Sequence, residues 1–150
     1  MAFVLDASIT ACWAFDDEDH PDASLAFDRI RDEEGVIPSL WWFEVRNILI
    51  VNERRRRITE SETGSFLFKL SRLRLREDRS PNEAAVLRLA RAHRLSVYDA
   101  AYLELAHREG LPLATLDADL RRAALDEGVA LVSGGAAPPA GSPPDPKTKN

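Results

Sequence analysis

Short apolar runs alternate with capped, helix-patterned segments along the whole chain, and this alternation is what most constrains the fold. Phe3-Val4-Leu5, Val36-Ile37, the run 111–116 and the run 129–132 are each too short and too uniformly apolar for surface helices. Phe3-Val4-Leu5 is apolar on both faces, the pattern of a strand buried between two layers. Strands separated by helices predict an α/β fold, a three-layer α/β/α sandwich around a central parallel sheet. Right-handed crossovers then bring every strand's carboxyl end to one edge, where ligand sites gather in open α/β sheets.

The chain has 150 residues, 45% of them apolar and 30% charged, which suits one domain with a proper core. Residues 1–133 are expected to form that domain. Residues 134–150, rich in Gly, Pro and Ser, read as a disordered tail. There is no run of 18 apolar residues and no signal-type opening, so a cytoplasmic protein without membrane contact is expected. The lone Cys12 can form no internal disulfide, and no Cys/His spacing suits zinc. His20, His93 and His107 read as ordinary loop or helix-surface residues. Asp16-Asp17-Glu18-Asp19 reads as a solvated loop without chemistry. A net charge of −5 argues against nucleic-acid binding through the overall field, while allowing a local basic surface. The basic residues are nearly all arginine, which suits phosphate recognition or reflects genome composition.

Local signals divide the chain further. A helix is expected over 7–15, and another from Pro21, carrying Leu25, Phe27 and Ile30 and closed by Gly35. Ser39 is expected to cap a long helix running to about Arg57. Its first half is apolar nearly all round, more than one core can cover. The arginines 54–57 favour that helix's C-terminal dipole, with phosphate contact as a second possibility. Thr59-Glu60-Ser61-Glu62 is a capping box, and Ser80-Pro81-Asn82-Glu83 is read as another. Between them, Arg72-Leu73-Arg74-Leu75-Arg76 alternates as a sheet-edge strand, or as a helix end passing into one. Ser96-Val97-Tyr98-Asp99 opens a later helix, and a last helix is expected over 118–127.

Four acids stand out against this frame. Asp6 ends the first strand and Asp117 ends a later one; capping of the next helix is the structural alternative for each. Asp99 is either the acid of a capping box or part of an apolar stripe with Leu103 and Ala106. Glu44 lies among Leu40, Trp41, Ile48 and Val51 at helical spacing, where an ionised carboxylate is costly without a partner. An ion pair with Arg46 is the alternative to a ligand role. The topology lets the four converge at one sheet edge. A carboxylate cluster without His or Cys suits a hard cation such as Mg2+ or Mn2+.

Val4-Leu5-Asp6-Ala7-Ser8, the Glu44 helix, Tyr98-Asp99-Ala100-Ala101-Tyr102-Leu103 and Thr115-Leu116-Asp117 resemble the PIN domain. Within it they look most like VapC-type ribonuclease toxins of toxin–antitoxin pairs, over about residues 3–132. The resemblance implies an Mg2+-dependent (or Mn2+-dependent) endoribonuclease that hydrolyses RNA phosphodiester bonds with a metal-activated water. Carried over by position, Asp6, Glu44, Asp99 and Asp117 would form the catalytic and metal-binding set. Ser8 and Thr115 would support it, and Asp119 is explained equally well as part of a helix cap. The resemblance also implies a homodimer and a cognate antitoxin protein, whose contacts are expected on the helices between residues 39 and 75.

Two other readings compete. Asp6-Ala7-Ser8-Ile9-Thr10 also fits the Asp-x-Ser-x-Ser/Thr motif of von Willebrand A-type binding modules, but that leaves Glu44 and Asp99 unexplained. A catalytically inactive PIN domain would bind without cutting. Haloacid-dehalogenase-type phosphatases need an acid where Ser8 stands.

Overall fold

The computed structural model describes residues 1–133. The tail expected from residue 134 lies outside the described residues. β1 (Ala2–Leu5), β2 (Glu34–Pro38), β3 (Leu75–Asp78) and β4 (Leu113–Ala114) form one sheet in the order β3-β2-β1-β4, parallel at every pairing. The helices are α1 (Ala7–Cys12), α2 (Pro21–Arg29), α3 (Leu40–Arg54), α4 (Glu60–Leu70), α5 (Glu83–His93), α6 (Val97–Glu109) and α7 (Ala118–Asp126). The result is the expected three-layer α/β/α sandwich.

Strand order explains where a site can form. The chain steps outward from β1 to β3, then returns past β1 to β4. With right-handed crossovers, the helices of the outward steps and of the return fall on opposite faces of the sheet. α6 packs on β1, β2 and β4 and against α5 and α7, while α1 packs against α2 and α3. The winding reverses between β1 and β4, and the crevice at their carboxyl ends is the switch point where α/β sheets bind ligands. Phe3, Val4 and Leu5 are fully buried there, as expected for a strand covered on both faces.

Several boundaries differ from the sequence expectation. Gly35 does not end a helix: α2 stops at Arg29, and Gly35 lies inside β2. A Cβ on Gly35 would come within 2.8 Å of Ile30 Cδ1 and 2.9 Å of Leu75 Cδ2, so close packing, not turn geometry, favours glycine. Ser39 makes no side-chain cap, because its backbone is already helical (φ −57°, ψ −33°). Asn82, not Ser80, caps α5: its side chain accepts from Ala85 N at 2.9 Å, and its own N–H donates to Glu104 Oε1 of α6. The capping box at Thr59 and Glu62 forms as expected. The alternating arginine segment becomes strand only from Leu75, at the sheet edge. The 129–132 segment contributes a single bridge, Leu113 to Leu131, rather than a full strand.

Candidate active site

Asp6 leaves the end of β1 with an extended backbone but makes no side-chain cap on α1. Its Oδ2 instead accepts two hydroxyls, Ser8 Oγ at 2.7 Å and Thr115 Oγ1 at 2.6 Å. Both hydroxyls are themselves fixed. Ser8 Oγ accepts from Leu116 N at 3.0 Å, and Thr115 Oγ1 accepts from Asp117 N at 3.1 Å. The end of β1 is thereby tied to the segment after β4 across the switch point.

Asp117 caps α7, accepting from Leu120 N through Oδ1 at 2.8 Å. The cap and a place at the crevice coexist, because a carboxylate has two oxygens. In α6 the cap is Ser96, which accepts from Asp99 N at 3.1 Å. Glu44, on α3, does not pair with Arg46. That guanidinium lies 4.0 Å from the Trp42 ring centroid and donates to Trp42 O. Glu44 Oε1 instead accepts from the Tyr102 hydroxyl at 2.8 Å. Asp119 is exposed and pairs with Arg122 at 3.0 Å.

Electrostatics tie these acids together. Burial pushes Asp6 above the usual carboxylate range; the Thr115 and Ser8 hydroxyls oppose it and the charge of Asp117 adds to it. Glu44 is raised by burial, relieved by Tyr102, and raised again by the charges of Asp6 and Asp99. Asp99 is raised by burial and then by Asp117, Asp6 and Asp119, with Ser96 opposing. The structure thus brings Asp6, Glu44, Asp99 and Asp117 within each other's fields and leaves Asp119 at the rim. Among the described residues, no arginine or lysine forms an ion pair with any of the four, although other surface acids are paired with arginine. Hard oxygen donors within one another's fields, with no ion-paired arginine or lysine among the described residues, are a donor set whose chemistry fits a divalent metal ion.

Tyr102 was not among the residues singled out from sequence. It is fully buried, and burial together with Asp6 and Glu44 drives its hydroxyl well above the usual tyrosine range. A tyrosine three positions after Asp99 on an apolar stripe needs a partner for its hydroxyl, and the fold supplies Glu44. His20 lies exposed in the loop before α2, as expected. Donor atoms of Cys12, Glu18 and His20 all lie within 4.8 Å of one another. Seven residues separate Cys12 from His20, and the loop between them doubles back. His93 pairs with Glu127 at 2.7 Å.

The family model described as "PIN domain" matches residues 3–125. A solved structure, the crystal structure of PAE2754 from Pyrobaculum aerophilum, is similar at 27% sequence identity with a TM-score of 0.63. The match covers 82% of this chain and 87% of that one. No curated protein matches.

Proposed function

Because this chain belongs to the PIN-domain family, a nuclease fold, we propose that it is a metal-dependent endoribonuclease acting as the toxin of a toxin–antitoxin pair. The observation that carries the reading is the set of three raised carboxylates, Asp6, Glu44 and Asp99, with Asp117 beside them at the sheet's switch point and, among the described residues, no arginine or lysine ion-paired to any of the four. Asp6, Glu44, Asp99 and Asp117 would hold Mg2+ or Mn2+. When bound, such an ion polarises a phosphodiester and makes water acidic enough to supply a nucleophile near neutral pH.

The residues around it have separable tasks. Ser8 and Thr115 fix one oxygen of Asp6 and set the carboxylate plane. Tyr102 fixes Oε1 of Glu44. A carboxylate still ionised in this field can accept a proton from an attacking water. The four-fold negative charge also repels a bare phosphodiester, so substrate and cation must enter as partners.

The antitoxin assignment draws on a groove of about 550 Å³ between the segment after α1, α2 and α4, lined by Trp13, Phe27, Ile58, Phe66, Leu70 and Leu73. It takes in part of the 39–75 region expected to contact a partner. Trp42 and Phe43, 51% and 70% exposed on α3, offer a separate apolar patch suited to a second copy of the chain. No described helix is long and apolar enough to cross a membrane.

The test is cleavage of structured and unstructured RNA by purified protein with Mg2+, Mn2+ or EDTA, beside Asp99→Asn. Metal-dependent cleavage lost in the variant is expected. Metal-dependent stabilisation of the wild type without cleavage of any RNA would favour an inactive, binding PIN domain. Growth toxicity on expression, relieved by co-expressing the neighbouring upstream open reading frame, is expected for a toxin; toxicity that persists with that partner made counts against the pairing.

A further inference from the structure

At the far end of α1 from Asp6, the chain makes two successive turns. Phe15 N donates to Cys12 O at 3.3 Å, and Glu18 N donates to Phe15 O at 3.3 Å. These turns carry the loop back over the C-terminus of α1 and deliver His20 immediately before Pro21 opens α2. We propose that Cys12, Glu18 and His20 form a second metal site, one that takes a thiolate-binding divalent transition ion of the Zn2+ class rather than Mg2+.

Three observations support it. The first is convergence: the sulfur, carboxylate oxygen and imidazole nitrogen all lie within 4.8 Å of one another. Bonds of about 2.0–2.3 Å in tetrahedral zinc sites put donors roughly 3.3–3.8 Å apart. The trio needs to close by about 1 Å, which rotamer changes of Glu18 and His20 on the solvent side can supply. The second is shape: all three residues line one cavity of about 350 Å³, walled by Ala23 and Phe27. Cys12 is buried at its base and His20 is exposed at its mouth, so an ion has an entry path.

The third is charge. Asp16, Asp17, Glu18 and Asp19 are consecutive acids, and the cation that pairs with them among the described residues is Arg57, shared by Asp17 and Glu18. A thiol donor selects zinc-class ions, which bind sulfur, over magnesium, which does not. His20 makes no side-chain cap on α2, so its imidazole is not committed to the helix. Sulfur, nitrogen and oxygen donors together define a borderline-soft site, chemically unlike the all-oxygen set at Asp6. Three protein ligands leave a fourth position for water or for Asp16, which lines the same cavity. Trp13, Asp16 and Phe27 also line the apolar groove, so an ion here would stiffen one wall of it.

Co2+ titration of the metal-free full chain, followed by absorption spectroscopy, tests this directly, because Cys12 is the only cysteine. One equivalent should produce a thiolate-to-cobalt charge-transfer band and tetrahedral d–d bands, both bleached by Zn2+. Cys12→Ser should lose the charge-transfer band, and His20→Gln, at an exposed position, should weaken Zn2+ binding at least tenfold. Asp99→Asn should keep both bands. No charge-transfer band at one equivalent, or a band that survives Cys12→Ser in a folded variant, overturns the site. Bands abolished by Asp99→Asn also overturn it, since they would put the ion among the carboxylates.

Discussion

The hydroxyl of Tyr102 donates to Oε1 of Glu44 across 2.8 Å, joining α6 to α3 over the carboxyl end of the sheet. It is a single neutral donor to a carboxylate that burial and two neighbouring acids otherwise push toward its protonated form. Tyr102→Phe keeps the ring and removes the bond. Loss of a bond of this kind costs about 1 kcal/mol when water can replace the donor, so the variant should fold with a slightly lower Tm. Outer-shell partners of ligands typically change metal affinity about 10- to 100-fold, and Mn2+ binding by calorimetry should weaken by that order. Unchanged affinity would reduce Tyr102 to a packing residue.

Thr115 occupies the other junction, donating to Asp6 Oδ2 and accepting from Asp117 N. Thr115→Val retains the volume but leaves a buried carboxylate with the Ser8 hydroxyl as its remaining side-chain donor. The Thr115 bond holds Asp6 down against burial, so its loss should raise Asp6 further. The acidic limb of the pH–rate profile should move to higher pH, while Thr115→Ser should restore it. A profile identical to wild type in the valine variant would show that Asp6 ionisation does not limit the rate.

How far the sequence revealed this arrangement depended on the range of the signal. β1 and Asp6 were legible because three consecutive apolar residues mean a covered strand, and the acid follows directly. The Thr59–Glu62 box was legible because both of its bonds are local. Ser39 and Gly35 misled for one shared reason: capping rules describe residues in isolation, and here β2 runs through Pro38 straight into α3 while Ile30 and Leu75 close over Gly35. The Tyr102–Glu44 bond spans 58 residues and the Thr115–Asp6 bond 109. No periodicity encodes such pairings; only the strand order brings them together. The carboxylates were visible as residue types, whereas the absence of arginine ion pairs to them among the described residues appears only in three dimensions.

Gly35→Ala tests the packing account of that glycine. The added methyl would meet Ile30 Cδ1 and Leu75 Cδ2 below 3.0 Å, and both are ends of flexible side chains that can shift within a filled core. Overpacking of this kind costs about 1–3 kcal/mol. Urea denaturation should show that loss with an unchanged slope. A neutral substitution would mean that β2 and α2 separate more easily than their contact implies.

A chain ending after Ser133 should keep the melting temperature and the RNA cleavage of the full chain. The buried apolar cluster runs from Phe3 to Val132, and Val132 N donates to Leu113 O at 2.9 Å. A lower Tm in calorimetry, or loss of cleavage, would assign residues 134–150 a structural or functional part.

The carboxylates also set the pH dependence of the metal-free protein. Asp6, Glu44 and Asp99 are all raised in the folded state, so the fold binds protons that the unfolded chain releases. Their contribution to stability is fully present below the ordinary carboxylate range, near pH 4. It is lost as pH rises through the raised folded values. With EDTA present, these three groups should therefore pull Tm down between about pH 4 and neutrality, against the rise that the lowered acids Glu33, Glu77, Glu109 and Glu127 give over the same range. Asp99→Asn removes one of the interacting charges. At neutral pH without metal the variant should melt above the wild type, with the difference closing on acidification. Mn2+ should reverse the order at neutral pH, raising the wild type and leaving the variant nearly unmoved. Calorimetry over that pH series with and without Mn2+ reads both effects, and a wild type more stable than Asp99→Asn in EDTA at pH 7 would mean that Asp99 is already paired within the fold.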